Sequence, residues 1–262
     1  MTAHLYTPTR ARDPRGLIWF QTRPRYLAGG GDPRRITQTL LAGGWHNRSD
    51  PDYPHVVLAG PDHRHTLVLE PEPAPYRPWW TIRGHDEHGH WHSEFGANTP
   101  VEILSALTDA LLAPAPQTSS DIWTALTSAH WHYERDGQGN ETAAHPDGLL
   151  KLRRWSVEPG EHCHWTAEAA TTNGMGGTRP IWRASLDDRM PRHLLAAFTT
   201  ALARDEPVQR SRYDDHDARL EAVRAAARRA RRAAARAASR APGPAAAPAT
   251  AGAGERRPAM RP

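Results

Sequence analysis

The chain has 262 residues, 33 basic and 29 acidic, with a formal net charge of +4, ten tryptophans and one cysteine. A lone cysteine excludes an intrachain disulfide and a cysteine-based zinc finger, and there is no run of 18 apolar residues to span a membrane. Charge is uneven: residues 1–207 hold 20 basic and 24 acidic groups and residues 208–262 hold 13 and 5, so the positive charge belongs to the tail.

In chain order, residues 1–24 carry three prolines and scattered arginines and read as a poorly ordered or strand-forming arm, without the apolar stretch of a secretory signal. RYLAGGGD at 25–32 suggests a short strand broken by glycines, which form a turn rather than an anion-binding loop because Pro33 removes a backbone donor. Asp32-Pro33 has the form of a helix start, and Ile36, Leu40 and Leu41 follow at helical spacing until Gly43-Gly44. Four strand-like runs come next, VVLA (56–59), HTLVLE (65–70), WWTIRG (79–84) and WHSEF (91–95), separated by turn-forming or polar stretches. Pro100 opens a second helix carrying Ile103, Leu104, Leu107, Leu111 and Leu112.

The order then recurs. Ser120 or Asp121 caps a helix with Ile122, Trp123, Leu126 and Ala129; strands are expected near 131–135, 149–155, 163–169 and 181–186; Pro191 starts a closing helix. Trp45, Asp62, Trp80, Trp91, Phe95, Pro100 and Leu107 match Trp131, Asp147, Trp165, Trp182, Leu186, Pro191 and Phe198. The offset is 85 or 86 up to Trp80 and 91 from Trp91, which places an insertion of about six residues in TTNGMGG at 171–177. The expected fold is α+β: two tandem repeats, each helix, antiparallel strands, helix, with helices on one sheet face. Trp45, Trp91, Trp131 and Trp182 are expected in the core, and Cys163 is expected to be a small, at least half-buried strand residue. From Arg210 the chain reads as an amphipathic helix over 210–241, with an alanine face and an arginine face formed by Arg224, Arg228, Arg229, Arg231, Arg232 and Arg236. Pro242 opens an Ala/Pro/Gly-rich segment, 242–262, expected to be disordered.

The run YLAGGGDPRRITQTLLAGGWHNRSDPDYPHVVLAGPDHRHTLVLEP at 26–71, with the later Trp79-Trp80, Trp91-x-x-x-Phe95 and Thr99-Pro100-x-Glu102-Ile103-Leu104 elements, resembles the SPDY domain, known as domain of unknown function 317. The name-giving motif stands here as Ser49-Asp50-Pro51-Asp52-Tyr53, with an added aspartate, and the second copy has ERDGQGN (134–140) in its place. The resemblance implies tandem domains at 25–113 and 119–206, the second degenerate, in a protein of filamentous high-GC bacteria. It implies no activity, cofactor or catalytic residue.

Candidate sites follow from residue chemistry. Ser49, Asp50, Asp52 and Tyr53 could form a polar recognition patch, although Asp with Pro more simply starts a turn. His88, His90 and His92 could place imidazoles together on a strand for a metal, although Gly89 and the acidic neighbours read as a solvated hairpin tip. No phosphate loop, dinucleotide fingerprint or nucleophile elbow is present, and no cofactor is expected. The arginine face could neutralise nucleic-acid phosphates; equally, the alanine face could pack on the body or on a second copy. The leading expectation is a cytoplasmic, non-enzymatic interaction protein with an unknown macromolecular partner, nucleic acid among the candidates, no membrane role and scope for self-association. The alternative is a metal- or small-molecule-dependent enzyme using the hairpin at 85–92.

Overall fold

Strict alternation of buried and exposed residues along the strands dictates a sheet covered on one face, and the computed structural model contains such a sheet. The structure describes residues 7–9, 19–71, 78–87, 89–116, 121–156, 162–172 and 178–211. The chain divides into two units, Met1–Arg224 and Ala225–Pro262, and all described residues lie in the first.

Strands β1 (Thr7–Thr9) and β2 (Trp19–Thr22) precede a 3-10 turn at Arg25–Leu27, helix α1 (Arg34–Ala42), and strands β3 (His46–Asn47), β4 (Val56–Ala59), β5 (His65–Leu69), β6 (Pro78–Asp86) and β7 (Gly89–Gly96). Helix α2 (Val101–Leu112) closes the first repeat. Helix α3 (Thr124–Ser128), strands β8 (His132–Arg135), β9 (Glu141–Ala144), β10 (Leu150–Trp155), β11 (His164–Thr172) and β12 (Thr178–Asp187), and helix α4 (Arg192–Ala203) form the second. Strand β13 (Val208–Ser211) returns to β2, giving a small sheet of order β1-β2-β13.

The ten repeat strands form one antiparallel sheet, ordered β3-β4-β5-β6-β7-β12-β11-β10-β9-β8. Each repeat is a five-strand meander, and the two meanders join at their last strands. At this seam Glu94 pairs with Ser185, Phe95 with Ala184 and Ser93 with Leu186. Glu94 and Ser185 are themselves repeat equivalents, 91 residues apart, and the flanking pairs exchange under the same offset. The seam is therefore an internal two-fold, built as an isologous dimer interface is built. The helices pack in the order α1-α2-α4-α3. On the face they cover, Leu67, Ile82, Phe95, Leu186, Ala167 and Leu152 are fully or almost fully buried, and the Phe95 and Phe198 rings lie 5.7 Å apart. One hydrophobic core runs through both repeats.

Trp45, Trp91, Trp131 and Trp182 are buried as expected. The extra residues of the second repeat lie in the β11–β12 hairpin, whose outermost pair is Thr172 with Thr178, whereas β6 and β7 close at Asp86 with Gly89. Repeat-equivalent backbone also recurs at left-handed positions: Gly44 and His130 both follow a helix at positive φ, and His63 and Gly148 both take positive φ in the β4–β5 and β9–β10 turns.

Several local expectations are corrected. Residues 25–27 form a 3-10 turn, not a strand, because Leu27 and Ala28 donate to the carbonyls of Pro24 and Arg25. The polar stretch after Gly84 does not stop β6, because His85 and Asp86 pair with His90 and Gly89 across the hairpin. Leu41 and Leu112 of the apolar stripes are exposed. Arg210 and Ser211 complete β13 and are not helical; the remainder of the basic segment, with its six arginines, lies outside the described residues, as do 242–262.

Candidate interaction surface

With the helices on one face, the other face of the ten-stranded sheet carries the alternate residues. One register row crosses it: Val57, Val68, Thr81, Glu94, Ser185, Thr166, Arg153, Thr142. Arg83, His92, Lys151, Arg153, Glu168, Arg183 and Ser185 are exposed beside or within it. Half-buried Val57, Val68, Trp155 and Ile181 share the face with these polar side chains, so it meets water through a mixed surface.

At the two-fold the face dips into a cleft of ≈ 450 Å³, walled by Glu94, Glu168, Arg183 and Ser185 with Pro78, Pro180 and Ile181. A register shift in the β11–β12 ladder, between Ala169 and Ala170, gives β12 the extra residue Ile181, and one in the β6–β7 ladder, between Pro78 and Trp80, gives β6 the extra residue Trp79. Both irregularities lie near the cleft, and Asn98 Nδ2 donates to the Ile181 carbonyl at 3.4 Å. Glu168 and Arg183 are cross-strand partners. Further along the face the Trp155 ring lies 5.5 Å from that of His164, and Trp155 Nε1 donates to Thr166 Oγ1 at 2.9 Å. His92 Nδ1 lies 3.9 Å from Asp187 Oδ2. Cations, acceptors and a partly exposed aromatic pair thus share one face.

The residues singled out from sequence fall elsewhere. Ser49, Asp50, Asp52 and Tyr53 form the β3–β4 turn: Ser49 Oγ accepts from the Val57 N–H, Asp50 Oδ1 accepts from the Asp52 N–H, and the Tyr53 N–H donates to the Asp50 carbonyl. Tyr53 remains 59% exposed, its ring 6.2 Å from His55. His90 and His92 project from the same side of β7, with the His90 ring 5.6 Å from His85, and His88 lies outside the described residues. Among the described residues no three His, Cys, Asp or Glu side chains come together as a metal would require. Cys163 is half-buried just before β11.

Two buried networks hold the scaffold under this face. Arg210 clamps the start of the first repeat, donating to the Ala28 and Gly29 carbonyls at 3.0 Å each and to both carboxylate oxygens of Glu102, at 2.8 and 2.6 Å. Burial pushes the Glu102 carboxyl up, but Arg210 and Arg35 outweigh it and hold the group below its ordinary value. Gly31 packs against this clamp, where a Cβ would lie 3.0 Å from Arg210 Cζ, and a Cβ on Gly30 would lie 2.4 Å from the Ala97 carbonyl oxygen. In the second network the Tyr26 hydroxyl donates to Asp147, His145 Nδ1 lies 2.8 Å from the same carboxylate, and Trp182 Nε1 donates to the Tyr26 carbonyl at 2.8 Å. Burial, then the contact with Asp147, pushes the Tyr26 phenol above its ordinary value. Neither network was legible beforehand, since Tyr26 and Asp147 are 121 residues apart and Arg210 and Glu102 are 108 apart.

The architecture defines a class first: a tandem-repeat α+β protein in which two sheet-and-helix units fuse through an internal two-fold. The model of the SPDY family, a domain of unknown function (DUF317), matches residues 59–117 and again 144–208, so the chain carries SPDY segments in tandem. The segments begin 85 residues apart and end 91 apart, the same two offsets seen between the repeat landmarks. No curated protein and no solved structure matches the chain. No helix among the described residues is long and apolar enough to cross a membrane.

Proposed function

We propose that this is a non-enzymatic interaction protein whose open sheet face receives an elongated macromolecular partner, with the basic C-terminal segment adding affinity for nucleic acid. The observation that carries the reading is this face: among the described residues, ten strands run under one helix layer and no element lies over the opposite face, where Arg83, Lys151, Arg153 and Arg183 are exposed. Side chains on alternate strand positions can contact successive units of an elongated ligand, and cations among them favour a polyanion. The arginine-rich segment, with Arg224, Arg228, Arg229, Arg231, Arg232 and Arg236, would supply a salt-dependent, sequence-independent contribution.

Fluorescence anisotropy with a labelled DNA and a labelled RNA, across a salt series, tests this. The comparison uses the full chain, a chain ending at Ser211, and Arg153→Glu/Arg183→Glu. Ending earlier, at Pro207, would remove the Arg210 clamp and confound folding with binding. The shortened chain should lose most of the salt slope, and the face variant should weaken what remains. Absence of binding by the full chain, or equal binding by all three proteins, would show the reading to be wrong.

A further inference from the structure

We infer that the second-repeat half of the open sheet face is a platform for single-stranded nucleic acid, an inference that rests on the sheet-face reading above and narrows its ligand. The two halves of the face share a backbone and differ in what they display. On β10 the residues on this face are Lys151, Arg153 and Trp155, whereas their repeat equivalents, 85 residues earlier on β5 and just beyond it, are Thr66, Val68 and Glu70. Across the ladder His164 stands opposite Trp155 and is exposed, while Trp79, at the place of His164 in the first repeat, packs against the core. Two cations and an indole therefore occupy one half, where the other has a hydroxyl, an apolar side chain and a carboxylate.

Trp155 is held in place by its neighbours. Its Nε1 donates to Thr166 Oγ1 at 2.9 Å, and its ring centre lies 5.5 Å from that of His164. With that donor satisfied, what the half-buried indole offers a ligand is π surface, on which any base can stack. A duplex keeps its bases inside the stack, and an unpaired strand presents them. Lys151 and Arg153 continue along the same side of β10 at intervals of about 7 Å, two residues of strand rise, comparable with the spacing of successive phosphates in an extended single strand. Arg153 stands between Thr166 and Thr142, with no carboxylate opposite it. Glu168 lies between Lys151 and Arg183, and Asp187 between His164 and His92, so each acid on this part of the face is flanked by basic side chains. A ring for the base and cations in line for the backbone are the two elements that single-strand binding combines.

Anisotropy titrations of the full chain with labelled oligo-dT, oligo-U and a duplex of the same length, each across a salt series, test the platform. Trp155→Ala should weaken binding of one or both single strands about tenfold, the loss of one stacked base, leave the salt slope unchanged and leave the duplex unaffected; the strand that loses more names DNA or RNA as the ligand. Trp155→Phe, which keeps a ring, should retain most of the affinity. Lys151→Thr/Arg153→Val, which copies the first repeat, should lower the single-strand salt slope by about 1.4, two phosphate contacts. The inference is overturned if Trp155→Ala binds both single strands as the native chain does, or loses as much on the duplex. If Trp155→Ala does not fold, the double variant, confined to exposed residues, decides: unchanged single-strand affinity and slope overturn the inference. The broader reading stands if Arg153→Glu/Arg183→Glu still weakens binding in that event, and falls with the inference if no variant of the face alters binding of any probe.

Discussion

The turn after β4 and the turn after β9 are the same piece of backbone filled in two ways. Asp62 Oδ1 accepts from the Arg64 N–H and Asp147 Oδ1 from the Leu149 N–H, while Gly60 and His145 donate their N–H groups to equivalent carbonyls of His65 and Leu150. In the second repeat the pocket beside this turn holds Tyr26 between His145 and Trp182, with the Tyr26 hydroxyl bonded to Asp147 and Trp182 Nε1 to the Tyr26 carbonyl. In the first repeat Gly60 stands where His145 would be, His65 where Leu150 would be, and the Trp91 indole has moved over Gly84, leaving its buried Nε1 without an acceptor. Among the described residues, the segment that carries Tyr26 packs against the second of these turns and not the first. Duplication therefore specified the backbone twice, and that segment made the two halves chemically different.

The largest effect is expected where the halves meet. Phe198 is fully buried and packs against Phe95 across the seam. Phe198→Ala should cost about 3–5 kcal/mol, and because the core is continuous both repeats should unfold together. Urea denaturation followed by tryptophan fluorescence and by far-UV circular dichroism checks this. Coincident transitions mark one cooperative core, and separated ones would show two independent repeats.

A smaller effect separates the halves. A Cβ on Gly84 would lie 2.4 Å from the Trp91 ring, which is itself 2% exposed and hemmed in, whereas the equivalent Ala169 coexists with Trp182. Gly84→Ala should destabilise by about 1–3 kcal/mol through overpacking, and Ala169→Gly by about 1 kcal/mol or less from added backbone freedom. Equal costs, measured by chemical denaturation, would mean that the two indoles are not differently seated.

How far the sequence showed this can be judged element by element. VVLA matches β4, and the helix stop at Gly43-Gly44 and the starts at Pro100 and Pro191 were readable because each rests on local chemistry: a short apolar run, the left-handed Gly44, or a proline that presets φ. Strand β9, ETAA, escaped notice because alanine and glutamate have weak strand propensity and its pairing with β10 comes from register, not composition. The repeat itself was visible, but the β7–β12 seam was not, since nothing in Ser93 to Phe95 marks a strand whose partner lies 91 residues away. The same holds for the open sheet face: its residues alternate with the core residues that gave the strands away, and only the placement of all four helices on one side reveals that they line a continuous surface.

His65 gives the smallest and most selective difference between the halves. Burial depresses its pKa below the ordinary value of about 6.5, with His85 and Arg64 lowering it further while Asp62 and Asp86 partly oppose. Its counterpart Leu150 titrates nothing. As pH falls through 6.5 the unfolded chain takes up a proton that the folded chain resists, so stability drops until the folded-state value is reached. The depressed carboxyls of Glu102 and Asp147 act in a different window, losing their contribution only as pH falls below the ordinary carboxylate range, about 4. His193 on α4 is also depressed by burial and remains in either protein. His65→Leu, which copies the second repeat, should therefore reduce the loss of melting temperature between pH 7.0 and 5.5 without abolishing it, since His193 still resists its proton. An unchanged loss would place the pH sensitivity outside the first repeat; a vanished one would assign it to His65 alone and leave His193 no share.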